Sequence, residues 1–131
     1  MSDQSYPSLI CNLPEADLPI DNVVGHLFQG TQGQICFFDF EAGTEVPAHS
    51  HGDQWGIVIE GALNLTIEDK PRTLRKGDSY YIPAGVVHSA SCDQPCKVLD
   101  FFQDSNRYRP KSSWTQITNC GSDGTAFRSK A

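Results

Sequence analysis

Apolar and polar residues in this chain change places every second position, and no segment sustains the period of a helix. From Gln54 onward, Trp55, Ile57 and Ile59 alternate against Gln54, Gly56, Val58 and Glu60, with Gly61 closing the run. That is the period of a strand with one face inward. Val23 to Gln29, Gln34 to Glu41 and Leu63 to Glu68 are further short β-prone runs, broken by Gly30-Thr-Gln-Gly33, Glu41-Ala-Gly43 and Asp69-Lys-Pro71. Arg72 to Arg75, Ser79 to Ile82, Val87 to Ser91 and Cys96 to Gln103 continue the series. Many short strands separated by Gly, Pro and Asp turns predict an all-β protein, an antiparallel sandwich or barrel.

The pattern sets three regions. Residues 1–20, with Pro7, Pro14 and Pro19, read as an irregular arm with one turn at Glu15-Ala16-Asp17. Residues 21–103 read as the barrel. Residues 104–131 form a polar extension in which Trp114, Ile117 and Phe127 are the candidate anchors.

Composition narrows the function. The 131 residues suit one domain. A net charge of -6 without a Lys/Arg cluster argues against nucleic acid, and no apolar run reaches membrane-spanning length. The first residues have neither a basic region nor an apolar core, so no signal peptide is expected. The five cysteines, at 11, 36, 92, 96 and 120, then read as reduced thiols of a cytoplasmic protein.

His49 and His51 stand two residues apart, so on an extended strand both rings point to one face. Gly52-Asp53 supplies a turn and Gln54 follows; His88 lies far downstream. Three imidazoles and an amide oxygen are a ligand set for one divalent transition metal, and Zn, Ni, Fe or Mn all suit it. Gln54 could instead be a strand-edge amide that touches no metal. If it does ligate, four neutral ligands leave the ion's +2 charge uncompensated, which strengthens it as a Lewis acid and favours an anionic substrate. Gly56, on the face of Gln54, either leaves room for that substrate or marks a bulge. Asp100 interrupts the apolar strand Val98-Leu-Asp-Phe-Phe102. It is a candidate general acid or base if it faces inward, or a strand-end partner of Arg107 or Arg109. His26 reads as a surface or packing residue. Cys92 and Cys96 read as structural thiols beside a hairpin loop.

Two stretches resemble the paired motifs of the cupin superfamily. Gly43, His49, His51, Gln54 and Gly61 match the first, and Gly77, Pro83, Gly85 and His88 the second. Three features depart from the pattern: Gln54 stands for the usual Glu, the gap after His51 is only two residues, and Cys92 stands for an Asn. The resemblance implies a double-stranded β-helix jelly roll with one copy of each motif, a monocupin. A narrower resemblance, carried by Gln54-x-Gly56-x-Val58-x-Glu60-Gly61 with Asp100-Phe-Phe and Arg107, is to the small cupins that ketonise unsaturated uronates. It implies His49, His51, Gln54 and His88 on the metal, Asp100 for proton transfer and Arg107 for a substrate carboxylate.

The expected function is therefore a metal-dependent enzyme acting as a Lewis acid on a small oxygenated metabolite, with isomerase- or lyase-like chemistry. An Fe-dependent dioxygenase and a non-catalytic ligand-binding cupin are the competing readings. The outward row Trp55, Ile57 and Ile59 is more apolar than a solvated strand should be, which predicts a homodimer.

Overall fold

Among residues 5–111, which the computed structural model describes, the alternating runs form nine strands. In order they are β1 (Val23–Gln29), β2 (Gln34–Phe40), β3 (Glu45–His49), β4 (Gln54–Glu60), β5 (Ala62–Ile67), β6 (Lys70–Arg75), β7 (Ser79–Ile82), β8 (His88–Ser91) and β9 (Cys96–Phe102). They build two antiparallel sheets, β1-β2-β9-β4-β7 and β3-β8-β5-β6. This is the jelly roll that the motifs imply. The strand ends agree with the sequence pattern to within a residue or two. The widest difference is β6, which starts at Lys70 and so takes in Pro71. Glu68 and Asp69, both at positive φ (51° and 66°), make a two-residue hairpin turn that brings Lys70 directly opposite Ile67.

The motif glycines explain why the strands stop where they do. Gly43, Gly61, Gly77 and Gly85 all hold positive φ, between 82° and 89°. A side chain is disfavoured in that region, so these positions turn the chain from one strand to the next. The inward faces of the strands then meet between the sheets, where Phe38, Phe40, Val58, Leu65, Val98 and Phe102 are buried together.

The arm departs from expectation. Ser8–Cys11 forms one short helix, α1, and Glu15-Ala16 is extended rather than turned. Glu15 bridges to His26 and Ala16 to Pro110. The backbone donors a turn would use are committed elsewhere: Ala16 N–H to the Gly25 carbonyl and Asp17 N–H to that of Arg109, each at 2.8 Å. Cys36, Cys92 and Cys96 are buried free thiols. Cys11 is buried as well, and Cys120 lies outside the described residues. The candidate anchors Trp114, Ile117 and Phe127 lie outside the described residues.

The exposed apolar row also runs differently. Ile57 and Ile59 are half-buried. The exposed row crosses the strands instead of following β4. Pairing places Phe28 opposite Ile35, Ile35 opposite Phe101, Phe101 opposite Trp55 and Trp55 opposite Tyr81. Phe28, Phe101, Trp55 and Tyr81 are 56%, 41%, 41% and 55% exposed. The outer face of the larger sheet thus carries one apolar ribbon across all five strands.

Residues beyond β9 are held to the barrel by Gln34, which is fully buried. Its amide N–H donates to the Tyr108 carbonyl (2.9 Å) and to Gln29 Oε1 (2.8 Å), and its oxygen accepts the Tyr108 N–H (3.0 Å). One side chain therefore satisfies both backbone groups of Tyr108, the neighbour of Arg107. Gln34→Leu should leave those groups buried without partners and cost about 2–4 kcal/mol of stability. Urea unfolding should show a lowered midpoint, and limited proteolysis should cut first within residues 104–110. A variant with the parent's midpoint would mean that the clamp contributes nothing.

Candidate metal centre

The two sheets each bring half of the site. On the smaller sheet, β3 and β8 pair His49 directly with His88. On the larger sheet, Gln54 begins β4 and Asp100 lies in β9. His51 sits between the sheets: β3 ends at His49, so the shared face of the two histidines comes from the connection and not from one continuous strand. That connection is pinned on both sides. The His51 carbonyl accepts the Gly85 N–H (2.8 Å), the Gly52 N–H donates to Asp104 (3.0 Å), and Asp53 accepts the Ala84 N–H (2.7 Å). The two cupin motifs are thereby tied together at the turn that presents His51.

All three imidazoles are oriented alike. Nδ1 of His49, His51 and His88 lies 2.7, 3.0 and 2.9 Å from the carbonyl oxygens of Pro47, Gly52 and Val86. A carbonyl only accepts, so each Nδ1 carries the proton and each Nε2 keeps its lone pair. Potential ligand atoms of the three rings lie within 4.8 Å of one another. Nε2 of His51, Nε2 of His88 and Oε1 of Gln54 are buried with no hydrogen-bond partner. Buried, unanswered lone pairs beside a third imidazole fit a divalent cation well. Burial lowers the pKa of His51 to about 4 and also lowers that of His88. Both rings are therefore neutral and able to ligate at physiological pH.

Asp100 faces inward with Val98 and Phe102, and all three are buried. The expected alternative, pairing with Arg107 or Arg109, is not what is found among the described residues. Tyr80 Oη donates to Asp100 Oδ1 at 2.6 Å, and Gln54 lines the same cavity as the carboxylate. Burial raises the Asp100 pKa to about 6, opposed by the Tyr80 hydrogen bond, the nearby Gln54 amide and the charge of Arg107. Such a group can both take and release a proton near neutral pH. Burial also lifts the Tyr80 phenol well above its ordinary value, with the neighbouring carboxylate adding to the effect.

Gly56 has a different use from the one expected. A Cβ built there would fall 2.1 Å from Asp100 Oδ1 and 2.4 Å from Tyr80 Oη. The room beside Gly56 is filled by this carboxylate–phenol pair, so it is not free for a substrate. The bulge of β4 falls later, between Val58 and Glu60.

Arg107 lies over aromatic faces, its guanidinium carbon 4.4 Å from the Tyr108 ring centre and 5.6 Å from that of Phe102. Its Nε is buried without a partner. Tyr108 and Phe102 in turn wall a cavity of about 50 Å³ that His49, Gln54, His88, Tyr80 and Asp100 also line. The volume exceeds the roughly 10–15 Å³ that one water needs. It suits an ion with a few small oxygen-bearing groups. Arg109 is exposed, and its backbone carbonyl takes the Asp17 N–H. His26 packs, its Nδ1 3.1 Å from the Leu13 carbonyl. Sequence reading missed Tyr80. Its sole signal was the alternation of Ser79-Tyr-Tyr-Ile82, which sends Tyr80 and Ile82 inward.

A cupin domain model matches residues 36–102, just over half of the chain. No curated protein matches the sequence. Among solved structures, an RmlC-like cupin from Shewanella frigidimarina is 20% identical, with a TM-score of 0.68 over 82% of this chain and 95% of its own. KdgF from Halomonas sp. is 24% identical, with a TM-score of 0.64 over 70% of this chain and 88% of its own. Salicylate 1,2-dioxygenase from Pseudoaminobacter salicylatoxidans is 19% identical, with a TM-score of 0.61 over 66% of this chain but 26% of its own. At these identities the structural likeness concerns the fold. Together with the two motifs and the domain match, it makes this chain a member of the cupin family.

Proposed function

We propose that this cupin is an enzyme that holds one divalent transition metal on His49, His51, Gln54 and His88. Its substrate would be a small anionic oxygenated metabolite such as a sugar acid, converted by isomerase- or lyase-like proton transfer. The observation that carries the reading is Asp100, a buried carboxylate lining the same cavity as His49, Gln54 and His88. When bound, the metal supplies Lewis acidity towards a hydroxyl or carbonyl oxygen. Asp100 accepts a proton from the substrate and can return it to a neighbouring atom, so the reaction is balanced in protons. Arg107, cationic and with a buried unpartnered Nε, supplies the charge for a substrate carboxylate. Tyr108, Phe102 and Phe38 give the cavity part of its apolar wall. The sequence resemblance to the uronate-ketonising cupins and the fold shared with KdgF support a sugar acid.

An Fe-dependent dioxygenase is the second reading. It is favoured by the mostly apolar cavity wall, which includes Phe40, Val46 and Leu65, and by the fold shared with salicylate 1,2-dioxygenase. A homodimer is also part of this proposal, seated on the ribbon of Phe28, Phe101, Trp55 and Tyr81, and so is a cytoplasmic location.

Three measurements test these points. Elemental analysis should find that His49→Ala and His88→Ala lose most bound metal while His26→Ala keeps it; equal stoichiometry in all three removes the ligand assignment. Sedimentation at micromolar concentration should give a dimer, and Trp55→Lys a monomer. A parent that sediments only as monomer removes the dimer. Asp100→Asn keeps the side-chain shape and an acceptor oxygen, so metal content and fold should survive while turnover falls roughly 100-fold or more. The assay uses unsaturated uronates and small hydroxy acids, with O2 uptake followed in parallel. Full turnover in Asp100→Asn removes Asp100 from the chemistry, and O2 uptake by the parent favours the dioxygenase.

A further inference from the structure

Gly56 sits in the sheet between two residues that bond to each other. β4 pairs it with Tyr80 of β7 on one side and with Asp100 of β9 on the other. Neighbouring strands run about 4.8 Å apart, so the backbones of Tyr80 and Asp100 are roughly 10 Å apart. Their side chains still meet at 2.6 Å, because nothing grows from Gly56 into the space between them. The carboxylate thus lies over the glycine. The next inward position on β4 is Gln54, two residues along on the same face.

A side-chain amide has two ends of opposite character. Asp100, paired opposite Gly56, stands diagonally across from Gln54 and lines the same cavity; a carboxylate offers only acceptors, so the end of Gln54 that it favours is the NH2 group. Oε1 is then turned into the cavity, where it is buried and unpartnered, as are Nε2 of His51 and of His88. Were the amide reversed, an N–H donor would face the imidazole lone pairs, and no cation could use it.

We infer that Tyr80 and Asp100 are positioning residues for the metal ligands: the phenol anchors the carboxylate over Gly56, and the carboxylate takes the Gln54 NH2, so that only the amide oxygen faces the histidines. The inference rests on the metal site proposed above and extends it from ligands to the groups that aim them. It also gives a physical reason for Gln54 where the cupin motif has glutamate. A glutamate at this position would set two carboxylates against each other in a buried site with no N–H between them. Second contacts of this kind commonly change metal affinity about 10–100-fold.

The test compares zinc affinity, by competition with a chromophoric chelator, and the visible absorption of the Co(II)-loaded protein. The proteins are the parent, Gln54→Ala, Tyr80→Phe, Asp100→Leu, and the two double variants that join Gln54→Ala to each of the others. Tyr80→Phe should bind zinc several-fold more weakly and Asp100→Leu about ten-fold or more. Both Co(II) spectra should move towards that of Gln54→Ala. Each double variant should bind no more weakly than Gln54→Ala alone, because the same oxygen has already been lost. Losses that add in the double variants, or single variants with the parent's affinity and spectrum, overturn the inference. If Asp100→Leu fails to fold, the Tyr80→Phe cycle, which removes one oxygen atom, decides the matter. A parent that takes up neither zinc nor cobalt overturns the metal site and this inference together; a parent that binds both with uncoupled variants overturns this inference alone.

Discussion

Burying a lone pair that nothing answers costs a fold free energy, about 1–3 kcal/mol for each group. This cupin buries three such atoms in one place, on His51, His88 and Gln54. The surrounding hydrogen bonds keep them that way. Carbonyl oxygens occupy the Nδ1 of each imidazole, and the Asp100 carboxylate lines the same cavity as Gln54. Each imidazole is thus left with only its Nε2 open to a cation. The cost is tolerable because the barrel around it is well filled, with Val58, Ile82, Val98 and Phe102 almost completely buried. A site of this kind is stabilised when a cation enters, since binding to the native state alone adds to stability by mass action.

The fold divides its labour between faces and ends. The inward faces of both sheets give the apolar wall and the polar floor of one cavity. Segments outside the strands do the fastening. The arm bridges to β1 and to Pro110, and Gln34 reaches out of β2 to hold the Tyr108 backbone. That second contact matters for chemistry, because it fixes the aromatic surface on which the Arg107 guanidinium rests. A cation stacked on rings keeps its charge while losing conformational freedom, and here its field reaches Asp100, His51 and His88. The proton-transfer candidate and the ligands therefore share one electrostatic environment, set partly by a residue outside the barrel strands.

Everything that follows from short-range geometry could be read along the chain before any strand had a neighbour. The two-residue period gave the strands and put Val98, Asp100 and Phe102 on one face, but left open whether that face was the inward one; packing between the sheets buried all three. Motif spacing identified the family, and with it the three histidines that the structure brings together. The turn glycines were legible because a positive φ leaves few other choices. The rest depends on which strands become neighbours, and so it was settled in three dimensions. Pairing set Tyr80 and Asp100 on either side of Gly56, and so turned a glycine that looked like room for a substrate into room for a hydrogen bond. The same pairing ran the apolar ribbon of the outer face across five strands instead of along one. It also left Glu15-Ala16 extended, since the Ala16 and Asp17 donors found acceptors in β1 and beyond β9. A single strand's pattern says which way a side chain points; what it meets there is settled by residues far along the chain, and no local period records them.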